Sequence, residues 1–533
     1  MLSAAPKFNG PRPLLRLSGH TVPTVDVFIT CCGEDPTIVQ DTIAAACALD
    51  YPADRYNVYV LDDKASAEVK TLVEILQKRF KRLYYASRGL ALRTHSKAGN
   101  LNFGLSQTRR HGASEFVAVL DVDMIPEPHW LRALLPHLLQ DDRAAMANPP
   151  QIYYNAPRRD YLGVQLGPKF LFNIFLPLED SHNGVVCTGT GFVVRRAPLD
   201  DIGGFPTESI QEDVYTSMLL TSCGWKVLYV PERLQWGIVP HTFQGTIRQR
   251  QRILKGVWSL WQCLRDDKGK AVSIEQQNAL PLQTIILTAT AILTTVAMCA
   301  LPLTLLSQKP LIPLQHPLQM TRMFYLALCD FVAQLVYGLL EVSMSHRQTY
   351  LRSDLSELWM MPYQCITLFT MFIRRQDECF LPSGLATHSD SPLYQNKRTS
   401  LRRRLNFVFT ECHAAGHLIV LTLTVVGVGR LLCNPQIWYG AVTGSIGRQA
   451  LLTHAAWPPL LMLWTAIVAN AWTPIAHAVA PLETFQRRSL LDKNNASGVL
   501  LPSAEARENE SRPVVEWHML IVVVSWLAAW YLL

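Results

Sequence analysis

The chain has 533 residues, of which 17% are charged and 49% hydrophobic, and its formal net charge is +7. That length exceeds what one hydrophobic core supports, so two or three domains are expected. The 12 cysteines are scattered with no C-x-x-C pair, which excludes a zinc finger and a disulfide framework and fits a reducing cytosol.

Residues 1–23 hold Pro, Lys and Arg without a long apolar run, so they read as an N-terminal tail and not as a signal peptide. Residues 24–265 then alternate between two periods. "VDVFIT" (Val25–Thr30), "YNVYVLDD" (Tyr56–Asp63) and "RLYYA" (Arg82–Ala86) are β-rich runs, while "PTIVQDTIAAACAL" and "GNLNFGLSQT" have helical spacing. This rhythm predicts an α/β domain on a parallel sheet, with ligands beyond the carboxyl ends of its strands. Asp62-Asp63 falls at one such end. "FVAVLDVDMIPEPHW" (Phe116–Trp130) ends another buried strand on Asp121 and Asp123. Two like charges at a core edge are costly unless a positive group joins them. A divalent cation carrying phosphates meets that need; a solvated strand end before a turn is the plainer reading.

Farther along, "SIQEDVYTSMLL" places Glu212-Asp213 at the start of a helix, and "GTIRQRQRILKG" places Gln249, Arg250 and Arg252 on another. Alone, the first is an ordinary first-turn acid pair and the second a juxtamembrane basic patch. Together with the strand-end carboxylates they suit sugar transfer from a nucleotide donor. Asp121 and Asp123 can hold Mg²⁺ or Mn²⁺ against a diphosphate, and Arg252 with Arg250 can clamp phosphate. Asp62 suits a uracil or ribose edge. Asp213 is the candidate base for an acceptor hydroxyl, its pKa expected to be lowered by the helix start.

The second half changes solvent. Leu280–Ser307 carries no charge and exceeds the ~30 Å of a bilayer core. Met323–Met344 is a second span, with Asp330 either a tolerated polar group or a translocation residue. His417–Cys433, Pro458–Val479 and Trp517–Leu533 make five. Arg374, Arg375, Lys397, Arg398 and Arg402–Arg404 mark a cytoplasmic loop, so Glu357–Ile373 is expected to lie along the interface. The domains are thus 24–265, two spans over 280–344, an interface helix and basic loop over 345–406, and about three spans over 407–533 with a cytosolic loop at 481–514. The sequons at Asn495 and Asn509 would then stay unglycosylated. Basic residues on membrane-facing loops without interleaved aromatics argue against nucleic acid.

These motifs, in this order, resemble the processive family-2 glycosyltransferases (cellulose, hyaluronan and chitin synthases), nearest to their fungal synthase-like relatives. Asp62-Asp63, Asp121-Val122-Asp123, Gln211-Glu212-Asp213 and Gln249-Arg250-Gln251-Arg252-Ile253 are similar to the family's Asp pair, D-x-D, T-E-D and Q-x-x-R-W. "HSKAGNLN" (His95–Asn102) is similar to the segment whose lysine approaches the donor, here Lys97. "CTGTGFVVRR" is similar to the segment shaping the acceptor site, here Thr188, Gly189 and Thr190. The resemblance implies a Rossmann-like GT-A fold on the cytosolic side of a multi-pass membrane protein. It also implies inverting transfer from a UDP-sugar, UDP-glucose by family frequency, to a carbohydrate or lipid-like acceptor, with Asp213, beside Glu212, as base. Three features depart from the family: Ile253 stands where a tryptophan stacks on the acceptor, the gating loop has only an echo at Phe380–Leu385, and no spans precede the transferase domain. A polysaccharide synthase is slightly favoured over single-sugar transfer to a lipid or hydrophobic metabolite. A non-catalytic scaffold or transport component is the third reading, disfavoured because every acidic motif is kept.

Overall fold

The computed structural model describes residues 12–89, 96–110, 112–156, 166–240, 243–265, 272, 274–307, 317–345, 358–374, 400–435, 472–475, 487–494, 497–511, 524 and 526–527. Its first half is built on a seven-stranded sheet. β1 (Val25–Cys31) pairs in parallel with β2 (Tyr56–Asp62) and β4 (Phe116–Asp121), and β3 (Leu83–Ala86) extends β2. β6 (Ala144–Asn148), β8 (Phe192–Arg195) and β9 (Lys226–Tyr229) complete the order β3-β2-β1-β4-β8-β6-β9. The parallel sheet expected from the sequence is therefore mixed, because β8 runs antiparallel to both neighbours. The chain enters β8 through the Gly189–Gly191 turn beside the carboxyl end of β4, with Phe192 opposite Val119, and so descends where β4 ascends.

Side-chain parity divides the core into two layers. Val25, Val27, Ile29 and Cys31 face one cluster with Val58 and Val60. Phe28, Tyr59, Leu61, Val117 and Val119 face the other. α1 (Pro36–Cys47) and α2 (Ala67–Gln77) begin at side-chain caps, Asp35 accepting from Thr37 N–H and Ser66 from Val69 N–H. α3 (Ser96–Arg109) buries Ala98, Leu101 and Leu105 in the second layer, and α4 (Trp130–Leu139) buries Trp130, Leu131 and Leu134 in the first. Full burial of each such side chain contributes roughly 1.5–3 kcal/mol.

The chain then runs through α5 (Leu166–Phe170), a π-helical turn, α6 (Leu176–His182), α7 (Arg196–Asp201), α8 (Glu212–Ser222) and the long α9 (Phe243–Arg265). A second sheet, β5 (Ile125–Pro126), β10 (Gln235–Gly237) and β7 (Ile152–Tyr153) in that order, flanks the carboxyl end of the main sheet. The N-terminal tail is docked from Arg12, which pairs with Asp180, while Leu17 bonds the backbone of Arg132.

α10 (Ile274–Ser307) and α11 (Pro317–Met344) contain stretches long and apolar enough to cross a membrane, Leu280–Ser307 and Thr321–Met344, with mean hydropathy 2.1 and 1.7. α12 (Met361–Arg374), in the segment read as interfacial, has 14 residues and spans only about 21 Å, short of the bilayer core. It packs Leu368 against Leu254 and Trp258 of α9 and Ala291 of α10, leaving Ile366, Phe369 and Phe372 exposed. α13 (Leu401–Asn406) continues through a π-helical turn and meets α14 (Ala415–Leu432) at a 94° bend; α14 occupies the third expected span. Phe380–Leu385 and, apart from 472–475, the fourth span lie outside the described residues. Of the fifth, Trp526 stacks on Phe331 of α11 at 5.0 Å. Residues 487–494 and 497–511 include a strand pair, β11 (Leu491–Lys493) with β12 (Leu500–Pro502), and α15 (Ala504–Ser511). Leu491, Val499 and Ala506 pack with Ile152, Tyr154 and Trp236 of the first half.

Candidate active site

The carboxyl ends of β1, β2 and β4 meet the starts of α3 and α8. Asp62 closes β2 fully buried, accepting from the backbone N–H of Lys64 (2.8 Å) and Ser66 (2.7 Å) and from the Tyr85 hydroxyl (3.0 Å). It organises the loop into α2. Asp63 is buried too and takes both arms of Arg88, at 2.7 and 2.9 Å. Arg88 also donates to the carbonyl of Ser96 (2.8 Å), fixing the entry to α3 one residue before Lys97.

Lys97 is the centre of the cluster. Its ammonium donates to Asp121 Oδ1 at 2.5 Å and to the Gly189 carbonyl at 2.6 Å. Burial alone would push that ammonium's pKa down, but Asp121, Glu212 and Asp213 push it up and prevail. Asp121 also accepts from the Thr30 hydroxyl at 3.0 Å, and its backbone N–H donates to Thr190 Oγ1 at 2.9 Å. Asp123, two residues on, has its carboxyl pushed up to about 7 by burial and by the charges of Asp121 and Glu34.

The Thr188-Gly189-Thr190 turn separates the D-x-D from α8. Gly189 has φ +95°, open to glycine at no steric cost. A Cβ there would lie 2.7 Å from Asp213 Oδ2, so its Cα–H face is what lets that carboxylate approach. Thr188 donates its hydroxyl to Asn148 (3.1 Å), and the Thr190 hydroxyl donates to Gln235 (3.4 Å). Both hydroxyls thus serve the scaffold.

Glu212 and Asp213 open α8, in its first turn. Glu212 is pushed up to about 7 by burial and by Asp213. Asp213 is likewise raised, by burial, with Lys97 pulling the other way. The lowering expected from the helix start is therefore reversed: desolvation outweighs the helix dipole and the lysine together.

α9 brings the basic motif to this edge. Gln249, Arg252, Gly256, Ser259 and Cys263 recur at helical spacing on one face. That face lies against the loop before α8: Ser259 Oγ accepts from Ile210 N–H at 3.4 Å, and the Cys263 thiol donates to the Glu208 carbonyl at 2.9 Å. A Cβ on Gly256 would come within 2.6 Å of Gln211, so the glycine allows the two segments to touch. Arg252 stands one turn before that contact. Arg250 is near enough to act on Tyr153, which also feels Asp123 and Asp121. Ile253 is 44% exposed. Trp258 faces elsewhere, buried edge-on to Phe372 of α12 at 4.9 Å.

The structure thus brings Lys97, Asp121, Asp123, Gly189, Glu212 and Asp213 together. It leaves Asp62 and Asp63 in local bonds at the end of β2, with β1 between them and the D-x-D strand, and turns Thr188 onto Asn148. Sequence reading missed Glu34, whose carboxyl is pushed up to about 7, chiefly by burial and, among the charges, by Asp121 and Asp62. It lies just past the end of β1, and the strand-end rule that found Asp62 would have found it. Tyr153 and Arg88 were missed as well, and neither carries a local signal.

A divalent cation fits the D-x-D in one way. Among the described residues no group of three or more His, Cys, Asp or Glu is arranged to hold a metal. Two carboxylates with unbalanced charge suit Mg²⁺ or Mn²⁺ arriving with a diphosphate that completes the oxygen shell.

Fold and site define a GT-A-like α/β domain followed by a helical region with apolar helices. Residues 23–256 match the family described as "Glycosyltransferase like family 2". The chain is 28% identical over 278 residues to the UDP-forming cellulose synthase 1 catalytic subunit of Komagataeibacter xylinus, covering 51% of this chain and 36% of that protein. It is 29% identical over 260 residues to the cellulose synthase catalytic subunit of Pseudomonas fluorescens (48% and 34%), and 30% over 265 residues to a putative cellulose synthase 2 of K. xylinus (48% and 16%). The match spans about a third or less of these relatives' length. Among solved structures, a mannosyltransferase of Pyrobaculum calidifontis, in complex with GDP-Man and Mn²⁺, aligns at TM-score 0.45 with 18% identity, over 68% of this chain and 92% of that one.

Proposed function

We propose that the protein is a membrane-embedded inverting glycosyltransferase, with its catalytic domain in the cytosol, that moves a hexose from a UDP-sugar to an acceptor hydroxyl and forms a β-glycosidic bond. The observation carrying this reading is the convergence on Lys97: one ammonium touches the D-x-D carboxylate Asp121 and the Gly189 carbonyl, with Asp213 against the same glycine. The UDP-forming names of the relatives support the donor class, and UDP-glucose is the first donor to test. The kinship to fungal synthase-like proteins, read from motif order, is part of the same proposal.

The acceptor oxygen attacks the anomeric carbon while the bond from that carbon to the phosphate oxygen breaks, and UDP leaves with the electron pair. Asp213 takes the hydroxyl proton. Its raised pKa keeps it a competent base near neutrality, where a low-pKa carboxylate accepts protons weakly. Lys97 holds Asp121 and offers positive charge toward the donor phosphates. Arg250 and Arg252, on α9 just before the Gly256–Gln211 contact, bind the diphosphate in this reading. Asp121 and Asp123 would hold the divalent cation, which supplies neutralisation of the departing oxygens.

Polymer synthesis is slightly favoured by the order of transferase domain, apolar helices and α12. Single-sugar transfer to a lipid or hydrophobic acceptor is the second reading, favoured by one observation, the exposed aliphatic Ile253 on the α9 motif. Labelled UDP-glucose given to the detergent-solubilised chain with Mn²⁺ and lipids separates them. High-molecular-weight label supports the synthase, and small organic-extractable label supports single transfer.

A further inference from the structure

The second sheet connects the site to a distant part of the chain. Each of its strands leaves the active site directly. β5 starts two residues after Asp123, β7 carries Tyr153, and β10 carries Gln235, whose amide donates to the Thr190 carbonyl at 3.0 Å. β10 is the middle strand, with Trp236 opposite Ile125 and Ile152. Trp236 is 1% exposed, and its indole N–H donates to Glu127 Oε1 at 2.6 Å. The same Glu127 oxygen receives Arg507 Nη1 at 2.5 Å, and the Arg507 guanidinium lies 4.8 Å from the Trp236 ring centre. Arg507 belongs to α15, more than 370 residues from Glu127 in sequence. The strap is held at further points: Glu510 pairs with Arg233 at 2.9 Å, Lys169 donates to the Glu510 carbonyl at 2.8 Å, and Asn509 donates to the Ala156 carbonyl at 2.6 Å.

We propose that β11, β12 and α15 make a built-in strap and that Arg507 of α15 is a positioning residue for the D-x-D, acting through Glu127 and Trp236. A planar guanidinium can stack on the indole and bond the carboxylate at once, which an ammonium cannot. Glu127 is four residues past Asp123, directly after the two-residue strand β5 that leads from the D-x-D turn. Its own N–H bonds the Leu234 carbonyl at 2.9 Å, next to β10, and Met124 N–H bonds the Asp121 carbonyl at 3.0 Å. Removing Arg507 frees one side of this short, otherwise thin sheet. Asp121 and Asp123 then lose their fixed separation, and assembly of the cation and diphosphate weakens before the main core does.

The inference rests on the glycosyl-transfer reading, so the test uses the full chain and two readouts. The first is hydrogen–deuterium exchange of the metal-free protein. Arg507→Ala should speed exchange at Met124 and Glu127 by tenfold or more, with β1 amides unchanged. The second is calorimetric binding of UDP with Mn²⁺. Arg507→Ala should weaken it at least fivefold, and Arg507→Lys, keeping the charge but not the stack, should recover part of the loss. Glu127→Gln should reproduce the effect more mildly, which keeps the test open if Arg507→Ala folds poorly. Unchanged exchange at Met124 and unchanged UDP binding in a folded variant would overturn the positioning role. Wild-type protein that binds no UDP with Mn²⁺ would instead overturn the transferase reading and this inference with it.

Discussion

Replacing Lys97 with methionine tests the electrostatics of the site. The substitution keeps most of the side-chain length and removes the positive group that joins Asp121 to the Gly189 turn. Breaking one side of a fully buried ion pair costs about 3–5 kcal/mol, and a surface pair is worth about 0–1. The Lys97 side chain is 18% exposed and that of Asp121 is 38% exposed, so the open partner discounts the buried figure to about 2 kcal/mol. For a domain of this size that is roughly 4–8 °C in melting temperature. The loss should shrink when Mn²⁺ and UDP are added, because a cation then serves the same carboxylates. A second consequence concerns Asp213. Burial raises its pKa and Lys97 opposes that rise, so without the lysine the base should titrate higher. The acidic limb of the pH–rate profile, where activity rises as Asp213 loses its proton, should move to higher pH when measured at saturating donor. A variant that melts with wild type and keeps its pH profile would refute this account of Lys97.

Other outcomes follow from the same geometry. Gly189→Ala forces a Cβ to 2.7 Å from Asp213 Oδ2 at a φ of +95°; the left-handed strain costs about 1–2 kcal/mol, and UDP release should fall at least tenfold, with wild-type release counting against the close approach. Glu212 is pushed up to about 7 from its ordinary 4.5, so between those values the folded chain holds a proton that the unfolded chain has lost. Stability of the metal-free protein should therefore fall as pH rises through that window, and Glu212→Gln should flatten the fall seen in melting curves at pH 5 and 7.5. A slope equal to wild type would show that Glu212 titrates normally. Ile253→Trp adds an aromatic face at an exposed position; longer labelled products or tighter acceptor binding are expected, and an unchanged product size would separate this position from the acceptor path.

Much of the α/β half is legible in the sequence because its signals are local. Val25–Cys31, Tyr56–Asp62 and Phe116–Asp121 are β-branched and aromatic runs whose acids fall at the strand ends, where the fold puts ligands. β6 reads "AAMAN", with no β-branched residue, and the strands of the second sheet have two or three residues, too short for any period. The antiparallel entry of β8 depends on where α6 releases the chain. The Asp213 shift runs opposite to the expectation because the Gly189 turn, distant in sequence, closes over its carboxylate, while the helix dipole is visible from sequence alone. The docking of residues 487–511 was hidden for the same reason. Arg507 looks like any charged residue of a polar helix until Trp236 and Glu127 are brought under it.

The central claim is most directly tested by UDP release from the detergent-solubilised full chain, given UDP-glucose, UDP-N-acetylglucosamine and UDP-galactose separately with Mg²⁺ or Mn²⁺. Asp213→Asn and Asp121→Asn would run beside the wild type. The account predicts release with at least one donor, lost on chelation of the metal and on either substitution. No release with any donor, even with lipids and a cell extract supplied as acceptors, or release untouched by Asp213→Asn, would contradict it.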